Sequence, residues 1–458
     1  MATRKRAIAV VATGARLFIG AVVVVACVVG AGAAIMAPWP GIETTAASTQ
    51  VATVPGNPVL VCTGPFRALG RESQSADQMQ AAGVGRITVD GEPTTPAQST
   101  IATPDLVGGD GSAVFTGVVQ GRTSAEIAAS ESLALAEEDL AGLAAGPCSP
   151  AATQSWIVGG SVETGANDVL VLSNPGAVPA TVTLTVYGGA STPVTQVIPA
   201  ATQVAMPFAS IAADAEDPVV RVTAEGAPVR AVLQSALTRT LDPAGSDLQG
   251  SAIEASETLR FAGVQIVAAP TDGTATNAVR LLAPDADTEA QVVVRDDSGA
   301  TAAEFVVPLT AATPLDVALA DLDLGIYSVE VTAATPVVAA IWQSEGTGGG
   351  TDFAWMTPAS PLEETLFAVP AGPSPKLHLV NSTDQDLTVV LSAVGGTERE
   401  VAVPAQSAEL ISVRPATVYR LSADGELTAA VTMAESGRLA GWPVAPGAGE
   451  EREITVYP

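Results

Sequence analysis

In the stretch "ATVTLTVYGG", Val182, Leu184 and Val186 point one way while Thr181, Thr183 and Thr185 point the other. Alternation with a period of two marks a half-buried strand, and β-branched residues suit both of its faces. The phrase around it, "SNPGAVPATVTLTVYGG" from Ser173 to Gly189, returns without a gap as "VNSTDQDLTVVLSAVGG" from Val380 to Gly396. Asn174 then matches Asn381, Leu184 matches Leu391, and Gly188-Gly189 matches Gly395-Gly396. A degenerate third copy, "LAPDADTEAQVVVRDDSG", lies between them from Leu282 to Gly299. Each copy runs on into strand, proline, polar turn and strand, and Tyr327 and Tyr419 take equivalent places, where their hydroxyls are expected to anchor strand corners. The Asn-Pro-Gly of the first copy reads as a turn, because the second copy keeps the bend while losing Pro and Gly.

The pattern predicts mainly β structure: tandem immunoglobulin-like β-sandwich repeats of about 100 residues, with a β-propeller-like arrangement as the alternative. One stretch reads differently. "TSAEIAASESLALAEEDLAGLAAG", Thr123 to Gly146, has capping-box spacing, an apolar face through Ile127, Leu133, Leu140 and Leu143, and a Gly-Pro stop, so it predicts a helix. Near the N-terminus, "LFIGAVVVVACVVGAGAAIM" runs from Leu17 to Met36 without a charge, which matches the ~30 Å hydrocarbon layer. Arg4, Lys5, Arg6 and Arg16 precede it and Trp39 follows. The positive-inside rule then predicts a single-pass plasma-membrane protein, N-terminus inside, with the bulk of the chain extracytoplasmic. Cleavage at Ala31–Ala33 and lipidation at Cys27 are the competing readings.

The expected organisation is a basic tail (1–16), a transmembrane anchor (17–36), a tether (37–58), a cysteine-bracketed mixed region with one helix (59–150) and three sandwich repeats (151–255, 256–350, 351–458). Aromatics are only 4% of the 458 residues, so Val, Leu, Ile and Ala must fill the cores. The net charge of −28 repels phosphate backbones, which argues against nucleic acid as a partner. Outside the anchor only Cys62 and Cys148 remain, and an even pair in an oxidising compartment predicts a disulfide, with free thiols or a metal pair as alternatives.

Chemistry is sparsely marked. No nucleophile elbow, zinc-binding helix or P-loop is present, and no cofactor motif is found. His378 is the single histidine and reads as structural. "DADTE" (Asp285, Asp287, Glu289) and "NSTDQD" (Asn381, Asp384, Asp386) put oxygen ligands on turns without an EF-hand loop, so solvated turns are the favoured reading over calcium. Trp156, Trp342, Trp355 and Trp442 are candidate glycan contacts, although scarce aromatics more often anchor packing.

The order "VLVCTGPF", "GPCSP", "SWIVGG", "LVLSNPGAVPATVTLTVYGG", "AVLQSAL" and "AAIWQSEGTGGGTDFAWMTPA" resembles a family of actinobacterial membrane-anchored envelope proteins catalogued only as a domain of unknown function. The resemblance covers about residues 50–440 and departs at Thr63, where Pro is expected. It implies an envelope location and no site residues. The expected function is a non-enzymatic extracytoplasmic scaffold or binding protein of the cell envelope. An accessory glycan-binding factor in cell-wall polysaccharide assembly is the alternative, and a hydrolase with an unmarked carboxylate pair comes third.

Overall fold

The computed structural model describes residues 18–32, 49–52, 56–71, 78–121, 124–190, 192–270, 274–447 and 453–456. The chain divides into two compact units, one of Met1–Thr53 with Arg452–Pro458 and one of Val54–Glu451. In the first unit a helix covers residues 18–32, and Thr49–Ala52 pairs antiparallel with Glu453–Val456. That helix rises about 22 Å, short of the ~30 Å hydrocarbon layer. Gly20, Gly30 and Gly32 interrupt its apolar run, and glycine is a poor helix residue. Among the described residues no helix is long and apolar enough to cross a membrane. This corrects the expected anchor over 17–36 and the single-pass plasma-membrane placement built on it. Leu17, Met36 and Trp39 lie outside the described residues.

The second unit is built almost wholly of strands, so the chain is mainly β. Three successive runs share one order of eight strands. In the first run, Gln154–Val158, Val219–Glu225, Ala180–Tyr187 and Val194–Ile198 form one antiparallel sheet. Thr202–Pro207, Val169–Asn174, Arg230–Arg239 and Asp242–Gly250 form the other. Numbered in chain order, the sheets read 1-6-3-4 and 5-2-7-8. Both later runs repeat this order, with strands six and seven fused into one long strand, Gly325–Ser344 and Thr417–Glu435 respectively. In the first run Gly226, at φ 91°, and Pro228 break the equivalent strand in two.

Alternation drives the packing. Val182, Leu184 and Val186 of Ala180–Tyr187 face a shared core with Leu170, Leu172, Val220 and Leu233 from both sheets. The other two runs have equivalent cores around Val292 and Leu281, and around Val389 and Leu379. The strand order departs from that of an immunoglobulin domain, in which the first strand pairs with the second. Here the first pairs with the sixth.

The expected helix over Thr123–Gly146 is instead a hairpin, Glu126–Ala136 paired with Ala141–Pro147. Glu126–Ala136 also pairs with Arg86–Glu92, and its middle is buried on both faces. A strand buried on both faces loses the period-two signature, and the ladder overrides the helix propensity of its Ala, Leu and Glu.

The last strands of the four hairpins close a ring. Ala141–Pro147 touches Asp242–Gly250 and Arg438–Pro443, and Phe353–Met356 touches the same two from the other side. Each of the three sheet pairs is thus a module; the strands between Val59 and Pro147, which form three three-stranded sheets, make the fourth, and the four surround one axis.

Candidate functional site

One carboxylate sits where the four modules meet. Asp352 precedes Phe353–Met356 and is fully buried. Its Oδ1 accepts the Ser246 N–H at 2.9 Å. Its Oδ2 accepts the Leu143 N–H at 2.8 Å and the Leu439 N–H at 2.7 Å. Three modules therefore donate to a side chain of the fourth. Close approach requires glycine beside it: a Cβ on Gly142 or Gly245, both at positive φ, would come within 2.6 Å of Oδ1. Burial pushes the Asp352 carboxyl up to about 7, against the pull of the backbone amides. Nearby Asp247, whose Oδ2 accepts the Trp355 N–H at 2.8 Å, is pushed by burial up to about 8. Burial likewise raises Asp168 to about 7. All three carboxyls are enclosed and face backbone amides.

Arginines join adjacent modules. Arg280 holds Asp316 at 2.7 Å and Asp217 at 3.3 Å and lies over the Trp355 ring. Arg420 of the last module reaches Glu92 and Glu126 of the first, and Glu364 at 2.7 Å. Arg230 donates to Thr63 Oγ1, Ser149 Oγ and the Pro147 carbonyl. Burial lowers Arg230 to about 10, which leaves it a cation at neutral pH.

The residues singled out from sequence fall mostly into structural roles. Cys62 and Cys148 form the disulfide. Glu131 stands beside it and accepts the Thr63 and Gly64 N–H groups. The Thr63 N–H is a donor that a proline at this position could not supply. Asn174 and Asn381, both buried, make equivalent contacts. Each Nδ2 donates to three carbonyls, those of Val178, Ile198 and Pro199 or of Gln385, Val403 and Pro404. Each Oδ1 accepts the N–H two residues on. The second run ends the same strand in Leu282, which packs with Trp156 and Trp355 between modules. The Tyr327 hydroxyl donates to the Asp323 carbonyl and the Tyr419 hydroxyl accepts the Arg414 N–H, so both tyrosines anchor strand corners.

Trp156, Trp355 and Trp442 are buried, and half-buried Trp342 stacks on Phe353 and meets Trp355 edge-on. Their rings glue strands and modules together. His378 is buried against Thr432, with its Nε2 2.6 Å from the hydroxyl, and burial lowers it to about 4. On the acidic turns, Asp287 and Asp386 accept the Ala311 and Ala405 N–H groups. Asp384 accepts Gln406 Nε2 at 3.4 Å. Asp285 and Glu289 point from the turn and strand edge without joining them in a cage.

A separate cleft of about 230 Å³ opens between the second and third repeats. The second repeat supplies the outward face of its first sheet, where Arg295 lies opposite Ser328 and Arg260 opposite Glu330. The third supplies Ser382, Gln406 and Thr428. Phe261, Val329 and Val380 form a buried floor. The Ala408 N–H donates to the Asp297 carbonyl at 2.9 Å and pins one end. Both cleft acids are engaged: Glu330 accepts Arg260 Nε at 2.9 Å, and Asp296 Oδ1 accepts Ser298 Oγ and the Ala300 N–H. Arg295 pairs with no acceptor among the described residues, and Thr428 Oγ1, 3% exposed, has no partner either. Sequence reasoning passed over these residues. Thr428 carried the one readable signal, a polar residue inside the apolar run "ELTAAVTMA".

No curated protein matches the chain. The family of unknown function DUF5719 matches residues 106–414, a stretch that takes in Asp352, most of the cleft lining and the first two repeats, and ends within the third. The chain belongs to that family of unknown function.

Proposed function

We propose that the protein is a non-enzymatic binding scaffold of an oxidising compartment such as the cell envelope. The three repeats act in it as β-sandwich modules locked into one rigid frame. The observation that supports this most is the Asp352 carboxylate, which takes backbone donors from three other modules. A frame closed in this way holds surface groups of different repeats at fixed separations, which suits recognition by preorganisation. The disulfide favours an oxidising compartment. The acids with the most shifted acidity are enclosed at the axis, where they hold strands together and no substrate reaches them. The exposed cleft between the second and third repeats is the surface on which a binding partner is expected.

The test is site-specific photocrosslinking in the native host, with the probe placed at Ser382 or Gln406 on the cleft rim, or at Arg239 in the first repeat as control. A discrete adduct to a macromolecule from the rim positions, and none from Arg239, is expected. No adduct from either rim position, or adducts equal at all three, would overturn the reading.

A further inference from the structure

We propose that the cleft between the second and third repeats is a binding site for an acidic sugar, meaning a hydroxylated ring that carries a carboxylate or a phosphate. The inference deepens the scaffold reading and rests on it for the location of the binding surface. The argument starts with charge. The chain carries −28, yet two arginines, Arg260 and Arg295, face this one cleft. Neither cleft acid is hydrogen-bonded to Arg295: Glu330 is held by Arg260, and Asp296 Oδ1 accepts from its own turn. Arg295 is half-buried and has no acceptor among the described residues, and a bound oxyanion supplies its guanidinium with a two-pronged contact.

Hydroxyl chemistry surrounds this cation. The Ser328 hydroxyl stands across the sheet from Arg295 and the Ser382 hydroxyl lies on the rim. Thr428 Oγ1 is enclosed and unpartnered. Gln406 gives its Nε2 to the Ser382 carbonyl at 2.7 Å and so leaves its Oε1 free to accept. Buried polar atoms without partners are rare and call for an occupant. Alternating donors and acceptors at these positions match sugar hydroxyls, which do both. The cleft volume, about 230 Å³, accommodates one sugar ring, free or carried on a larger glycan.

The test uses the full chain and calorimetric titration with glucuronate, glucose 6-phosphate, neutral glucose and inorganic phosphate. Glucuronate or glucose 6-phosphate is expected to bind with a Kd on the order of 1 mM or tighter, and more weakly as salt is raised. Which of the two binds more tightly identifies the anion. Glucose is expected to bind at least tenfold more weakly. Arg295→Gln is expected to weaken the acidic sugar roughly tenfold or more without moving the melting temperature, whereas Arg399→Gln, on an exposed strand, leaves binding unchanged. Ser328→Asp, which gives Arg295 an internal carboxylate, is expected to block binding as well. Glucose binding as tightly as the acidic sugars, or phosphate alone matching them, would overturn the proposal. So would unchanged affinity in Arg295→Gln. If neither acidic sugar binds while the rim crosslinks persist, the ligand class fails and the scaffold reading stands.

Discussion

Asp352 is the residue on which the four modules converge, and none of the donors to its carboxylate is a side chain. Asparagine at this site keeps the shape but aims an N–H₂ group at donors. Each amide left unpaired costs about 1–3 kcal/mol. Asp352→Asn is therefore expected to lower stability by roughly 3 kcal/mol or more in denaturant titration, a large fraction of the total for a typical fold. Its wild-type-like stability would show that the three donors find water instead. Gly142→Ala is expected to act in the same direction, because its Cβ would press on Asp352 Oδ1 and Ser246 N at 2.6 Å. A lone aspartate in "TDFAW" carries no sequence signal for any of this, since its partners are backbone amides up to 209 positions away. Asn174 was legible for the opposite reason: a second copy at Asn381 marked the position, and the buried amide that staples the turn is the part both copies keep.

Among the elements, the strands with one solvated face could be read and the strand with none could not. Thr181, Thr183 and Thr185 announce Ala180–Tyr187 because water touches their side. Glu126–Ala136 hides Ser130, Glu131 and Ser132 between sheets, so its polar residues mimic the outer face of a helix. Pairing on both sides predicts intolerance of proline there: Ala129→Pro keeps the carbonyl that accepts the Cys148 N–H but crowds two ladders, and is expected to prevent folding to a protease-resistant state. Strand corners are more forgiving. Tyr419→Phe removes the hydroxyl that accepts the Arg414 N–H at 2.8 Å, and a loss of about 1 kcal/mol is expected. The cleft was illegible for the same reason as the ring: Arg295 is an outward residue on a strand, which in sequence looks like any solvated charge.

For the whole molecule, three buried acids set a pH dependence. Burial raises Asp168, Asp247 and Asp352 to about 7, 8 and 7. In the unfolded chain they return to the ordinary carboxylate value near 4. The folded state then binds more protons between those limits, so their contribution is full below about pH 4 and is lost as pH rises through 7 to 8. His378, lowered to about 4, works the other way and is complete above its unfolded value of about 6.5. From pH 6.5 to 8.5 only the acids titrate among these four, so the melting temperature is expected to fall across that window. Asp247→Asn, which fixes the neutral state, is expected to flatten the fall. A melting temperature that climbs with pH over that window would show that the backbone amides hold these acids ionised. Reducing the Cys62–Cys148 bridge is expected to cost roughly 4–5 kcal/mol in the chain-entropy model, with the ring otherwise intact.

The position of Asp352 in the chain bears on how the protein is made. Two of its donors, Leu143 and Ser246, precede it, but the third, Leu439, belongs to the last hairpin. A nascent chain therefore holds an open arc until its final repeat has emerged, and an unfinished chain carries a buried acid short of one amide. Ring closure therefore waits for the hairpin that carries Leu439, so a chain truncated before residue 438 is expected to be cleaved faster by proteases.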